Sequence, residues 1–121
     1  MTRVLNERRI LLAEDEFFIA EELRQSLLDA GAVVVGPFAA LQDVLQAIRA
    51  GRLDGAVLDI SLRGEASYPA ADLLREKGVP FVFSSGYGAE VMPERFRAAP
   101  RTGKPANLES LLKLMRSIVR P

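Results

Sequence analysis

Along the 121 residues, apolar runs of strand length alternate with stretches in which apolar residues recur every three or four positions. That alternation predicts a parallel sheet covered by helices on both faces. RILLAE (residues 9 to 14) is the first strand. Ala20, Leu23, Leu27 and Ala30, with Glu21, Glu22, Arg24 and Gln25 between them, predict a helix over 16 to 30 that Gly31 stops. AVVVGPF (32 to 38) is a second strand ended by Gly36-Pro37. Leu41, Val44, Leu45 and Ile48 then line the inner face of a second helix that closes at Gly51. GAVLDI (55 to 60) is the third strand. Ser67 and Pro69 suit a helix start, Leu73 and Leu74 supply that helix's apolar contact, and Gly78 follows its end.

VPFVFSS (79 to 85) makes the fourth strand, after which Pro93 and Pro100 leave room for only a short or broken fourth helix. APRTGK (99 to 104) has no apolar run, so a fifth strand before Lys104 is short and at the sheet's edge. Asn107 is the expected N-cap of a last helix with Leu108, Leu111, Leu112, Met115 and Ile118 on one face. Phe17, Phe18, Phe81 and Phe83 are expected in the core, and Arg95, Arg97 and Arg101 as solvated charge.

The length fits one compact domain over residues 1 to 121. Sixteen basic and sixteen acidic residues cancel, so no long-range field recruits nucleic acid or an anionic membrane. Cysteine and histidine are both absent. Their absence excludes disulfides, thiolate or Ser-His catalysis, imidazole-bound zinc and a phosphohistidine donor role, which leaves oxygen and amine chemistry. MTRVLNERR at the start lacks the shape of a secretory signal, and no apolar stretch reaches membrane-spanning length, so a cytoplasmic setting is expected.

In such sheets ligands gather beyond the carboxyl ends of the strands. Strand one ends in Glu14-Asp15-Glu16, strand three in Asp59, strand four in Ser84-Ser85-Gly86 and the fifth in Gly103-Lys104-Pro105. If strands one and three are neighbours, at least three carboxylates share one rim, where they hold either protons or a cation. Magnesium suits one or two carboxylates plus waters and a phosphate oxygen. A lysine and a hydroxyl facing that ion describe a site for a phosphoryl group.

ILLAEDE, VLDISL, FVFSSG and GKP, in that order and spacing over nearly the whole chain, resemble the receiver domain of two-component response regulators. The resemblance implies an open, doubly wound, five-stranded flavodoxin-like α/β sheet of order 2-1-3-4-5, and a stand-alone receiver. It further implies that Asp59 is the phosphoacceptor for a phosphohistidine on a partner, either a sensor histidine kinase or a phosphotransfer protein. Asp15 and Asp59 would ligate Mg2+ directly, Glu14 through water, and the Ser61 backbone carbonyl would add a ligand. Lys104 would neutralise the phosphoryl oxygens, and Ser85, favoured over Ser84, would be the switch hydroxyl. Tyr87 would shield the acyl phosphate from water. Such a protein is a phosphorylated switch, not a classical enzyme; its downstream target and a homodimeric state are left open.

Two positions depart from the receiver pattern: Arg101 stands where an aromatic residue usually precedes the lysine by three, and Ala106 follows Lys104-Pro105. PFVFSSGYG resembles the signature of a subgroup of single-domain receivers named FATGUY, which also lack that aromatic. The departures motivate an alternative, a phosphorylation-independent binding module with a relic acidic site. A phosphohydrolase with an Asp-x-Asp motif does not fit Asp15-Glu16-Phe17 or Asp59-Ile60-Ser61. A flavin phosphate would meet Glu14 and Asp15 where it needs hydroxyls and amides.

Overall fold

A computed structural model of the chain describes residues 4–84, 92–103 and 107–119. Among the described residues the elements are β1 (Arg9–Ala13), α1 (Phe17–Asp29), β2 (Val33–Phe38), α2 (Leu41–Ala50), β3 (Gly55–Asp59), β4 (Ser61–Leu62), β5 (Glu65–Ala66), α3 (Tyr68–Glu76), β6 (Phe81–Ser84), β7 (Arg101–Thr102) and α4 (Leu108–Ile118), with a 3-10 turn at Glu94–Phe96. The main sheet runs β2-β1-β3-β6-β7, and every pairing in it is parallel. This is the expected 2-1-3-4-5 order, with β6 and β7 as its fourth and fifth strands. β7 is two residues long and lies at the edge, and the described part of the fourth helical segment is the 3-10 turn.

Strand alternation divides the core into two layers. Leu11, Ala56, Leu58, Phe81 and Phe83 pack with α2 and α3, while Ile10, Leu12, Val57 and Val82 pack with α1 and α4. All five residues of β3 are buried, as a central strand covered on both faces requires. Gly55 opens β3 because α4 lies against it: a Cβ there would fall 2.8 Å from the Val119 Cγ2 methyl.

The helix ends follow local chemistry. Asn107 caps α4, its Oδ1 accepting from the Ser110 amide at 3.0 Å, and Glu16 caps α1 by accepting from the Ile19 amide at 3.0 Å. Ser67 occupies the N-cap position of α3 but does not cap it; its hydroxyl turns back and donates to the Asp59 backbone carbonyl at 2.5 Å.

β2 corrects one expectation. Gly36-Pro37 does not end it; the strand runs through a cis Gly36–Pro37 peptide to Phe38, with an irregular register opposite Leu11 to Ala13. Proline is tolerated because β2 is an edge strand and its missing N–H leaves no ladder bond unmade. Gly36 has φ +115°, and a Cβ there would lie 2.7 Å from the Leu12 carbonyl oxygen, so no other residue fits. The extension has a consequence for the strand ends, since the Phe38 carbonyl accepts from the Glu14 amide at 3.0 Å and fixes the backbone there.

Candidate functional site

Glu14 and Asp15 directly follow β1, and Asp59 is the last residue of the neighbouring β3, so parallel pairing sets the three acids on one rim. Their carboxylate oxygens lie within 4.8 Å of one another. Glu14 is 2% exposed and Asp59 7%, whereas Asp15 is exposed. Two unit charges 4.8 Å apart at an effective dielectric of about 20 repel by about 3.5 kcal/mol. A chain that folds carboxylates together at that separation gains from a cation among them, and an all-oxygen donor set with one solvent-facing member suits a hard divalent ion that keeps waters, such as Mg2+.

Backbone amides orient each acid. The Glu16 amide donates to Glu14 Oε2 at 3.1 Å and the Ser61 amide to Asp59 Oδ1 at 3.2 Å. The Arg63 amide donates to Asp15 Oδ2 at 2.8 Å across 48 residues of sequence. Arg63 and Gly64, at φ +51° and +83°, form the two-residue turn between β4 and β5, a small antiparallel hairpin beside the main sheet. Glu16, part of the acidic run, is spent as the α1 cap and is not a member of the cluster.

Of the residues expected at the site, Glu14, Asp15, Asp59 and Ser61 are therefore brought together. Ser85 and Lys104 lie outside the described residues, as do Tyr87, Ala106 and the last four residues of PFVFSSGYG, the stretch that resembles the FATGUY signature. Arg101 is described and is exposed on β7. Sequence reading missed the hairpin that braces Asp15 and the Ser67 bond that holds the Asp59 backbone. The only local signal for the first was Gly64, and the second had none.

One further expectation is corrected. Phe81 and Phe83 are core, but Phe17 is 69% exposed and Phe18 77%. Helical rotation of about 100° per residue carries Phe18 to the side opposite the buried stripe of Ala20, Leu23 and Leu27 and leaves Phe17 on its flank. The two rings meet edge to face at 5.4 Å, two and three residues beyond Asp15. Arg95 is exposed, as expected, and forms a two-bond ion pair with Asp72, both contacts 2.9 Å, which holds the Asp72 carboxyl below its ordinary pKa.

Arg95 belongs to a box around the 3-10 turn. The Phe96 ring is buried, stacked on Tyr68 at 5.6 Å and edge-on to Phe83 at 5.5 Å, with the Arg75 and Arg95 guanidinium carbons 4.6 and 4.7 Å from its centre. Burial pushes the Tyr68 hydroxyl pKa up, against the opposing charge of Arg95. Tyr68 follows Ser67 directly, so the box is one residue from the contact that holds Asp59.

No protein-family profile matches the chain, and no curated protein matches it by sequence. Solved structures do match. SdrG from Sphingomonas melonis Fr1, solved in solution, is 33% identical over 95% of this chain and 97% of its own, with a TM-score of 0.81. The BeF3-activated conformation of SdrG from Pseudomonas melonis Fr1 matches at 33% identity, 92% and 96% coverage and a TM-score of 0.75. The receiver domain of the sensor histidine kinase PA1611 from Pseudomonas aeruginosa PAO1, solved with magnesium coordinated in its active-site cleft, is 19% identical over 93% of this chain and 97% of its own, with a TM-score of 0.77. The chemotaxis response regulator CheY4 of Vibrio cholerae is 21% identical over 94% and 100%, with a TM-score of 0.78. These last two share the fold, while SdrG, at its identity and over nearly the whole of both chains, is a relative. The chain belongs to the receiver domains of response regulators.

Proposed function

We propose that this receiver is a phosphorylated switch in which Asp59 accepts a phosphoryl group from a phosphohistidine on a sensor histidine kinase or phosphotransfer protein. The observation that carries the reading is the convergence of Glu14, Asp15 and Asp59 within 4.8 Å at the carboxyl ends of adjacent strands. An Asp59 carboxylate oxygen attacks phosphorus, the P–N bond breaks, and the imidazole nitrogen leaves with the bonding pair. Asp15, Asp59 and the Ser61 carbonyl would hold Mg2+ directly and Glu14 through water. When bound, the ion offsets negative charge on the incoming phosphoryl oxygens. Lys104 is assigned to the same oxygens and Ser85 to the switch hydroxyl. A carboxylate nucleophile needs no general base, so positioning by the Ser61 amide and by Ser67 is the protein's main contribution. No helix among the described residues is long and apolar enough to cross a membrane, and a cytoplasmic setting is part of the proposal.

Incubation with a small-molecule phosphodonor and Mg2+ tests the reading. Mass spectrometry is expected to find one phosphoryl adduct on the parent protein and none on Asp59→Ala. An unmodified parent would favour the phosphorylation-independent binding module, for which Arg101 in place of the usual aromatic is the motive.

Phe17 and Phe18 are exposed and follow Asp15 by two and three residues, and we assign them to the surface that a protein donor meets. Replacing both with serine is expected to slow transfer from a protein phosphodonor ten-fold or more, as loss of central aromatic contacts does elsewhere. The small-molecule reaction should keep its rate, and unfolding stability should change by about 0.5 kcal/mol or less. Equal slowing with both donors would place the rings' effect inside the site.

A further inference from the structure

β6 lies beside β3 with Ser84 in register opposite Asp59. In both strands the preceding residues alternate in step: Leu58 and Phe83 face α2 and α3, while Val57 and Val82 face α1 and α4. One step further, Asp59 and Ser84 both turn to the α1 and α4 side, as neighbours on one face of the sheet. Ser84 is 1% exposed, and its hydroxyl makes no hydrogen bond among the described residues. Few native side chains are left so, because a buried hydroxyl without a partner is destabilising. An alanine would fill this strand position without that penalty. The hydroxyl is thus a buried donor on the same sheet face as the Asp59 side chain, in the neighbouring strand.

We infer that Ser84 is a second hydroxyl of the phosphorylation site, its Oγ–H donating to an oxygen of the Asp59 side chain once that side chain is phosphorylated. This is a role separate from the one proposed for Ser85. The contact would make Ser84 a positioning residue whose hydrogen bond exists only in the phosphorylated state, stabilising the acyl phosphate without contributing to Mg2+ binding. The inference rests on the phosphoacceptor reading of Asp59.

Beryllofluoride, the probe of the activated conformation of SdrG, separates the two. Its affinity in saturating Mg2+ would be measured for the parent and for Ser84→Ala, together with Mg2+ affinity alone and the denaturant midpoint. Loss of one hydrogen bond to a charged acceptor is expected to weaken beryllofluoride binding roughly ten-fold or more in Ser84→Ala. Mg2+ affinity should stay within about two-fold, and the midpoint should be equal or higher, since the substitution removes a buried unpaired hydroxyl. Equal beryllofluoride affinity in the two proteins overturns the role of Ser84 while leaving Asp59 as acceptor. A parallel loss of Mg2+ affinity overturns it too, because the effect would then be general damage to the site. A parent that binds Mg2+ but no beryllofluoride removes the phosphoacceptor reading itself, and this inference with it.

Discussion

Phe96→Ala is expected to lower the unfolding free energy by about 3–5 kcal/mol, the range for truncating a fully buried aromatic side chain. Phe96 holds the 3-10 turn to the rest of the molecule. Its ring fills the space between Tyr68 of α3 and Phe81 and Phe83 of β6, and two guanidinium groups lie over it. Removing it opens a cavity under a segment with little regular structure to hold it otherwise. Arg95 would keep Asp72, and Arg75 would keep its 2.8 Å bond to the Arg95 carbonyl, but both contacts are exposed and contribute modestly. Urea unfolding, monitored by circular dichroism, measures the loss; a change below about 1 kcal/mol would mean that the box is an incidental surface contact. Phe83 precedes Ser84 directly, so the same substitution should also weaken beryllofluoride binding, which a purely remote packing defect would leave alone.

Magnesium is expected to stabilise the protein. A ligand bound only by the folded state adds about 2.7 kcal/mol at one hundred times its dissociation constant, which for a domain of this size raises Tm by roughly 10 °C. The acids that bring this about are drawn together by folding and are separated in the unfolded chain, so the ion has far less affinity for the latter. Asp15→Asn or Asp59→Asn removes one of the three charges and should abolish most of the shift. Thermal melts with Mg2+ and with a chelator check this. An equal shift in the parent and in both variants would assign the effect to nonspecific ionic strength.

Much of the fold was legible because its signals are local. Ala20, Leu23 and Leu27 mark the inner face of α1 through a 3.6-residue period, and Asn107 announces α4 through a side chain that reaches three residues along the chain. The acids at the ends of β1 and β3 were visible for the same reason, as polar residues closing apolar runs. The misreadings arose where a local sign met a long-range one. Gly36-Pro37 looks like a strand terminator, yet β1 supplies the pairing that carries β2 to Phe38. Phe17 and Phe18 look like core by composition, yet they fall off the buried stripe and beyond the end of the sheet.

The sequence by itself determined the alternation of strands and helices, the short edge β7, and which acids stand at strand ends, since each depends on residues within a few positions of one another. Only the tertiary structure decided that Glu14, Asp15 and Asp59 share one rim, that Arg63 braces Asp15 and Ser67 the Asp59 backbone, and that Ser84 lies buried beside Asp59. Most of those relations join residues 25 to 48 positions apart. Strand order and register create them, and no periodicity along the chain encodes either.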